Sequence, residues 1–333
     1  MKAFALSDFD APPSVVDLPR PVPAAGQVLV RVHATSVNPV DLLISSGFFR
    51  TVQEYRFPAV FGRDLAGVVE QVGAGVTRFA VGDAVYGFVK RDYIGDGTFA
   101  EYVVVPEDMF IGPAPLGLEL ASAGVLAQGG ITALECVDAV VSGPGDVVLV
   151  NGATGGVGVY AIQIAAACGA EVIATARTYE QQTLARSLGA KHVIDWSAGD
   201  LVEQVRALVP AGVHGFIDLV KHVDSARIGE NEAEAHALVA RLCRGLLREG
   251  GRAASVTNGG VPELLGDIPC ANVHSSPTPE SIARLTALVE AGQVVAPVYA
   301  TYRFAELAAA FDLLAAGPAL GKISVILEPG SQA

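Results

Sequence analysis

The sequence predicts an α/β protein that joins a β-rich domain to a doubly wound parallel sheet, and two observations lead to this fold class. Strands and helices alternate from about residue 147 to 256, which is typical of a parallel sheet with helices on both faces. The N-terminal third consists mostly of short strand candidates separated by Gly and Pro, such as Gln27–His33, where Val28, Val30 and Val32 alternate with other residues. The 333 residues exceed one ordinary domain.

Composition and charge exclude several classes of protein. The net charge of −13 leaves no basic footprint for nucleic acid. Met1–Asp10 lacks the pattern of a signal peptide, and the most apolar stretch, Val157–Ala176, is interrupted by Gln163, Gly169 and Glu171. The four cysteines lie far apart without a C-x-x-C pair, which favours a reducing compartment. We therefore expect a cytoplasmic protein without nucleic-acid or membrane partners.

A glycine-rich turn follows the apolar strand candidate Val147–Val150 and precedes a helical pattern. It has the form G-x-G-x-x-G, with Ala153 in the first glycine position, then Gly155 and Gly158. The glycines permit a tight turn, close approach of a pyrophosphate, and packing of the helix on the strand. The first turn of the helix offers N–H groups to the phosphates. Because strand and helix flank the motif, it predicts dinucleotide binding.

The residues after the next strand candidate indicate which dinucleotide binds. Sites for NAD carry an acidic residue about 20 positions after the glycines, whereas an Arg accommodates the 2′-phosphate of NADP. Here Thr175, Arg177 and Thr178 occur before the first acidic residue, Glu180. The hydroxyls and the guanidinium suit a phosphate, so we expect NADPH. The alternative is that Arg177 is only a solvated residue after a strand.

Several motifs together resemble the medium-chain dehydrogenase/reductase superfamily, in particular its zinc-independent quinone oxidoreductase branch, which is zeta-crystallin-like. Besides the nucleotide turn they are Val37–Asp41, Gly62–Val69 with Val72-Gly73, Val81–Gly87, Gly97–Tyr102 and Gly321-Lys322. The resemblance implies a GroES-like substrate domain from residues 1–117 and 279–333, and a Rossmann domain from 118–278. It further implies a cleft between the domains and a homodimer.

By this resemblance, two residues occupy the positions that hold catalytic zinc in the zinc-dependent relatives. Asn38 lies where the Cys would fall, and Arg63 replaces the His. An amide is a poor zinc ligand and a guanidinium is none, so we predict no metal. A site formed by His33, Asp41 or Asp64 is the remaining alternative.

The resemblance also implies the residues beside the nicotinamide. It puts Asn38 and Asp41 there, and Thr132 at the carboxamide; alternatively, Asn38 is a turn residue and Asp41 a helix cap. Arg63 would bind an enolate or quinol oxyanion if it faces the cleft, or would form a buried pair with Asp64. We predict Asn38, Asp41 and Arg63 as catalytic residues. The predicted cofactor-binding residues are Thr132, Ala153, Gly155, Gly156, Val157, Gly158, Thr175, Arg177, Trp196 and Asn258.

Trp196 is included because relatives often place a Tyr near the adenosine at this point. Enoyl-thioester reductases of the superfamily use a Tyr as proton donor where this chain has Phe48-Phe49, which weakens that assignment. After the strand candidate ending at Val220, relatives continue with glycines. This chain instead has a charged insert from Lys221 to Glu234, which we interpret as a solvated loop; the alternative is a role at the cofactor rim or in substrate entry.

Three functions remain open at this level. The first is a zinc-free, NADPH-dependent reductase of quinones or α,β-unsaturated carbonyls. The second is a nucleotide-binding structural or regulatory protein of crystallin type. The third is a tailoring enoyl or ketide reductase, which the hydrophobic region of Phe48, Phe49 and Phe57 would suit. Because function depends on sites rather than on folds, the site must distinguish them.

Overall fold

The computed structural model describes residues 1–222, 231–317 and 320–327. Their packing divides the chain into two compact units. Unit 1 comprises residues 1–131 with those from 276 onward, and unit 2 comprises residues 132–275. The domain limits predicted from the sequence are 117 and 279, whereas these units divide after residue 131 and before residue 276. The first limit lies later than predicted because residues up to 131 pack within unit 1. A Cβ on Gly130, for example, would touch Leu285 of the same unit.

The strands and helices are numbered separately in chain order. The strands are β1 (Lys2–Leu6), β2 (Ser14–Asp17), β3 (Gln27–Val37), β4 (Glu54–Tyr55), β5 (Ala59–Val60), β6 (Asp64–Val72), β7 (Ala84–Phe88), β8 (Tyr93–Ile94), β9 (Tyr102–Pro106), β10 (Ile111–Pro113), β11 (Val147–Asn151), β12 (Glu171–Thr175), β13 (His192–Ile194), β14 (Val213–Asp218), β15 (Leu247–Ser255), β16 (Cys270–Asn272), β17 (Val298–Arg303) and β18 (Lys322–Ile326). The helices are α1 (Pro39–Ser45), α2 (Leu120–Ala123), α3 (Ala127–Val140), α4 (Gly158–Ala167), α5 (Tyr179–Ser187), α6 (Leu201–Leu208), α7 (Glu232–Leu246), α8 (Pro262–Leu265), α9 (Pro279–Glu290) and α10 (Leu307–Ala316).

Unit 1 is built around a seven-stranded sheet in the order β10-β7-β6-β3-β18-β17, with β9 also paired to β3. Strand β3 is fully buried at Val28, Leu29 and Val30, so both of its faces are covered. The C-terminal strand β18 pairs antiparallel with β3, which places Ile323 opposite Val37. The two ends of the sequence therefore meet in one sheet, as the resemblance implies for a GroES-like domain.

Unit 2 holds a six-stranded parallel sheet in the order β13-β12-β11-β14-β15-β16. This is the Rossmann order, and it changes direction between β11 and β14. The core strand β11 is fully buried at Val148, Leu149 and Val150. In open sheets of this kind, ligands bind at the carboxyl ends of the strands beside the change of direction. The α/β fold class predicted from the sequence is confirmed.

The strands and helices that the sequence predicts to alternate from about residue 147 to 256 are observed as β11 to β15 and α4 to α7. Of the charged insert interpreted as a solvated loop, residues 223–230 lie outside the described residues. Within the described ranges, no helix is long and apolar enough to cross a membrane.

Candidate active site

The predicted catalytic residues of unit 1 surround a buried carboxylate, Asp64, at the start of β6. Its Oδ2 atom accepts hydrogen bonds from Ser36 Oγ at 2.5 Å and Asn38 Nδ2 at 3.2 Å, and lies 3.1 Å from Lys322 Nζ. The other carboxylate oxygen, Oδ1, accepts the backbone N–H of Gln128 at 2.7 Å. Asp64 is fully buried and Lys322 is 2% exposed, so together they form a buried ion pair.

Asn38 is clamped within this cluster rather than left free. Its amide oxygen accepts a hydrogen bond from Lys322 Nζ at 2.5 Å, and its NH2 group donates to Ser36 and Asp64. It precedes Pro39, the first residue of α1, as the turn interpretation expected. The geometry makes Asn38 a rigid part of the cluster, and its contact with a nicotinamide stays a prediction.

Asp41 has two different carboxylate oxygens. Oδ2 accepts the backbone N–H of Asn38 at 2.8 Å, which is the helix-cap contact. Oδ1 is buried without a hydrogen-bond partner among the described residues. Burial raises the pKa of Asp41 to about 7, opposed by the positive charge of Arg63 and by the Asn38 N–H, so the carboxyl is partly protonated at neutral pH.

Arg63 does not form the buried pair with Asp64 that was one alternative, so that alternative is wrong. The ion-pair partner of Asp64 is Lys322. Arg63 is half-buried, and the centre of its guanidinium lies 5.9 Å from the Phe88 ring centroid. Burial lowers its pKa, while the charges of Asp41 and Asp64 raise it.

The prediction that the site holds no metal can be checked against the metal-ligating side chains of the described residues. Over the residues that the structure describes, no group of three or more His, Cys, Asp or Glu side chains is arranged to hold a metal ion. The side chains at the two positions in question remain an amide and a guanidinium, which do not suit zinc. A zinc-free site therefore stays a prediction, and the chemistry of the amide and the guanidinium supports it.

Two tyrosine hydroxyls that lie near the Phe48-Phe49 segment in sequence are both engaged. Tyr55 donates to the backbone carbonyl of Ile44 at 3.1 Å, and Tyr93 donates to Asp96 Oδ2 at 2.7 Å. Burial raises the pKa of both hydroxyls. In this structure both hydroxyl protons are therefore used in hydrogen bonds within the protein.

The nucleotide turn of unit 2 lies at the carboxyl end of β11, next to the change of direction of the sheet. A Cβ on Gly158 would lie 2.3 Å from the carbonyl oxygen of Gly152, so Gly158 is needed to pack α4 on the strand. A Cβ on Gly155 would meet only the same oxygen at 3.4 Å, an ordinary contact. The protein's own packing leaves space at Gly155, as a turn approached by a pyrophosphate requires. The residues of the turn fit a dinucleotide.

This geometry predicts that Gly155→Val weakens binding of the nicotinamide dinucleotide by about tenfold or more without unfolding the chain, because the side chain would occupy the space of the pyrophosphate. Fluorescence titration gives the affinity, and circular dichroism gives the melting temperature. Gly143→Val is the matched control, since a Cβ there meets no atom within 4 Å. Unchanged affinity in the Gly155 variant would contradict the placement of the pyrophosphate.

Thr175 holds the nucleotide turn in place. It is 4% exposed; its Oγ1 accepts the N–H of Gly152 at 3.0 Å and donates to Asn151 Oδ1 at 3.1 Å. Asn151 in turn donates to Asp218 Oδ1 at 2.9 Å, so the ends of β12, β11 and β14 are tied together. Direct contact of the Thr175 hydroxyl with a phosphate stays a prediction.

Arg177 and Trp196 come together at the ends of β12 and β13. Both are exposed, and the guanidinium centre lies 5.8 Å from the Trp196 ring centroid. Asp195 is nearby: hydrogen bonds from Ser197 hold its pKa below the usual value, and the charge of Arg177 adds to this. Thr178 caps α5 by accepting the N–H of Gln181. The structure therefore offers an exposed cation beside an aromatic face, at the expected edge of the sheet.

The remaining predicted cofactor residues also have definite places. Ala153 is buried inside the turn, whereas Gly156 and Val157 are half-exposed on it. Asn258 is exposed after β15, with a φ of +59°, a left-handed conformation that Asn tolerates well. Thr132 Oγ1 lies 2.7 Å from Ser275 Oγ. Their contacts with a cofactor stay predictions.

Sequence reasoning missed Lys322, Ser36 and the role of Asp64 as the centre of the cluster. Lys322 belongs to the Gly321-Lys322 motif that carried part of the resemblance, and this was the available signal. A lysine inside an otherwise apolar C-terminal strand is rarely fully buried without a partner. A search for that partner would have identified Asp64.

Comparison with known proteins agrees with this architecture. The family model described as alcohol dehydrogenase GroES-like domain matches residues 24–115, and the one described as zinc-binding dehydrogenase matches residues 156–227. A quinone oxidoreductase from Sus scrofa is 31% identical over 332 residues, covering 93% of this chain and 92% of the relative.

Solved structures give the same result. A quinone oxidoreductase from Coxiella burnetii has a TM-score of 0.83 at 27% identity, covering 98% of this chain and 99% of its own. An alcohol dehydrogenase superfamily protein from Novosphingobium aromaticivorans has a TM-score of 0.82 at 29% identity, covering 98% and 100%. The family models and the quinone oxidoreductase relatives support an oxidoreductase that uses a nicotinamide cofactor. The chain belongs to the medium-chain dehydrogenase/reductase superfamily, and within it to the quinone oxidoreductase branch.

Proposed function

We propose that the chain is a zinc-free, NADPH-dependent oxidoreductase that transfers hydride to a quinone or an α,β-unsaturated carbonyl. The observation that supports NADPH is the exposed Arg177 at the end of β12, with no acidic residue at that strand end to bind ribose hydroxyls. The residues that support a metal-free reaction are Asn38 and Arg63 in place of zinc ligands. A homodimer and a cytoplasmic location belong to the same proposal, from the resemblance and the cysteine pattern.

The proposed reaction divides the work between the two units. In unit 2, the turn at Gly155–Val157 and the pair Arg177 and Trp196 bind the cofactor, which supplies a hydride when bound. A quinone accepts that hydride, and a proton from water completes the quinol; an enone accepts the hydride at its β-carbon and the proton at its α-carbon. In unit 1, the guanidinium of Arg63 stabilises the oxygen on which negative charge develops.

The buried cluster has a positioning part in this proposal. Lys322 neutralises Asp64, and together they fix Asn38 and the start of β6, where Arg63 lies. A fixed donor stabilises developing charge better than a mobile one, because it needs no reorganisation during the reaction. When it is ionised, Asp41 raises the pKa of Arg63, and among the described residues no ion pair between the two neutralises the guanidinium.

We expect Arg177→Ala to lower kcat/KM for NADPH by between about ten- and a hundredfold, since a hydrogen bond to a charged group contributes roughly 1.5–3 kcal/mol. NADH, which lacks the phosphate, should be nearly unaffected, and the loss should shrink at high salt. Kinetics with both cofactors at two ionic strengths test this. Arg186→Ala, which removes an exposed cation in the last turn of α5, the helix that follows Arg177, is the control. Equal losses for both cofactors would make Arg177 structural, and an unmodified chain that prefers NADH would overturn the cofactor assignment.

The second candidate is a tailoring reductase for a hydrophobic ketide-like substrate. Phe48 and Phe57 are 47% and 40% exposed, which is unusual for large aromatic side chains and favours an apolar ligand near α1. Turnover with NADPH against quinones, enones and enoyl thioesters separates the two candidates. No turnover with any of these acceptors, together with tight dinucleotide binding, would instead favour the crystallin-type protein.

A further inference from the structure

A histidine and a buried carboxyl group form a pair at the carboxyl end of β14. His222 Nε2 lies 2.8 Å from Asp218 Oδ2, and the two side chains are 12% and 1% exposed. The sequence left open whether the segment that follows β14 is a solvated loop or has a role at the cofactor rim. A loop that is only solvated would not hold a histidine at this low exposure against a buried carboxyl group. The pair therefore favours the second interpretation for His222.

The carboxyl group determines which ring nitrogen of His222 is available to a ligand. A carboxylate only accepts hydrogen bonds, so Nε2 carries the hydrogen that the pair shares. In the neutral ring, the other nitrogen, Nδ1, is then an acceptor. Within the described part of the chain, Nδ1 has no hydrogen-bond partner, and the side chain is not completely enclosed. His222 therefore offers one acceptor in a fixed orientation.

The pair is connected to the nucleotide turn. Asp218 Oδ1 accepts a hydrogen bond from Asn151 Nδ2 at 2.9 Å, and Asn151 is the last residue of the strand that leads into the turn. A Cβ on Gly152, the next residue, would lie 3.2 Å from Val220 Cγ2, so the segment between Asp218 and His222 also contacts the turn. The position of His222 is thus fixed relative to the turn at which the pyrophosphate is proposed to bind.

The strand order indicates which half of a dinucleotide His222 can reach. The order is β13-β12-β11-β14, with the nucleotide turn after β11. Arg177 and Trp196, which we propose for the adenosine half, follow β12 and β13 on one side of the turn, whereas His222 follows β14 on the other side. Dinucleotides bind across the change of direction of such a sheet. With the pyrophosphate at the turn, the nicotinamide half lies on the side of His222.

We propose that the His222–Asp218 pair binds the nicotinamide ribose of the cofactor, with His222 Nδ1 accepting a hydrogen bond from a ribose hydroxyl and Asp218 holding the ring in place. A hydroxyl donates a hydrogen bond and so suits an acceptor, whereas the oxygens of the pyrophosphate only accept and do not. The inference rests on the proposed function, because it takes the dinucleotide to bind at the turn.

The test compares two ligands that differ by one ribose, ADP-ribose and ADP. Both contain the adenosine and the two phosphates, and neither can be reduced, so calorimetry with the full chain measures binding alone. His222→Phe keeps a ring but removes the acceptor. It should lower the affinity for ADP-ribose by about three- to tenfold, as expected for one neutral hydrogen bond, and leave the affinity for ADP unchanged. A structural role of His222 would weaken both ligands.

The matched control is His192→Phe. His192 Nε2 lies 3.0 Å from Glu171 Oε1, so it is also a histidine paired with a carboxylate, but at the amino ends of β12 and β13. Both affinities should be unchanged in this variant. If His222→Phe does not fold because Asp218 loses its partner, His222→Gln takes its place, since its amide can still donate to Asp218. A smaller loss, again for ADP-ribose alone, is then expected.

Equal losses for the two ligands, an unchanged affinity for ADP-ribose, or the same loss in His192→Phe would each overturn the proposal. Turnover of 1,4-naphthoquinone with NADPH is measured separately. If turnover fails while the effect on ADP-ribose depends on His222, the proposed function fails and the ribose site stands. If turnover proceeds without that effect, the ribose site alone fails. An unmodified chain that does not bind ADP-ribose would contradict the dinucleotide site on which both proposals rest.

Discussion

Replacing Lys322 with Met is expected to lower the free energy of unfolding by about 3–5 kcal/mol, the usual cost of leaving a buried charge without its partner. The substitution removes the counter-ion of Asp64, which is fully buried and accepts hydrogen bonds on both oxygens. It also removes the donor that fixes the Asn38 amide. Urea denaturation at pH 7.5 measures the effect.

Two further variants make the result specific. The double variant Lys322→Met with Asp64→Asn removes both charges and should recover part of the loss, because the remaining buried groups are neutral. Lys191→Met breaks an exposed pair with Glu171, where the Lys side chain is 60% exposed, and should cost less than about 1 kcal/mol. If Lys322→Met and Lys191→Met lowered the free energy of unfolding equally, the buried pair would contribute no more to stability than the exposed one.

Asp41→Asn is expected to stabilise the chain at high pH, by roughly 4 kcal/mol at pH 8.5 and roughly 2 kcal/mol at pH 5.5. Burial raises the pKa of Asp41 from 3.8 to about 7. The unfolded chain therefore loses this proton above pH 3.8 while the folded chain keeps it until about pH 7. The folded state binds more protons across this window, so stability falls as pH rises through it and stays low above it. The Asn variant lacks this loss and can still accept the Asn38 N–H.

Denaturant unfolding of both proteins at the two pH values gives the comparison. The control is Asp17→Asn, an exposed carboxylate whose pKa a hydrogen bond from Lys2 holds low, and whose removal should give no stabilisation at high pH. If the free energy of unfolding depends on pH in the same way in the unmodified chain and in the Asp41 variant, burial does not raise the pKa of the Asp41 carboxyl as we expect.

The parts of the molecule that could be predicted from the sequence are those formed by neighbouring residues. The nucleotide turn needs only a strand, glycines at fixed spacing and a helix, all within Val147–Ala167, so local pattern contained the necessary information. The same holds for β3, whose alternating valines predicted a strand. Arg177 follows a strand end directly, so its exposure at that edge could also be expected.

The buried cluster of unit 1 could not be predicted in the same way. Asn38 and Lys322 are 284 positions apart, and they meet only because β18 pairs with β3 in one particular register. Nothing in the local pattern of either segment specifies that pairing. A pair of Asp64 with its sequence neighbour Arg63 was for this reason one of the two alternatives that the sequence left open.

The pairing of the last strand with β3 has a consequence for synthesis on the ribosome. Unit 2 is continuous in the chain, so it can fold as soon as residues 132–275 have emerged. Unit 1 is completed later, because residues 34–37 of β3 lack the partner strand β18, and Asp64 lacks its cation, until the segment Lys322–Ile326 leaves the exit tunnel. Until then the end of β3 is an unpaired strand edge, the kind of surface that chaperones cover.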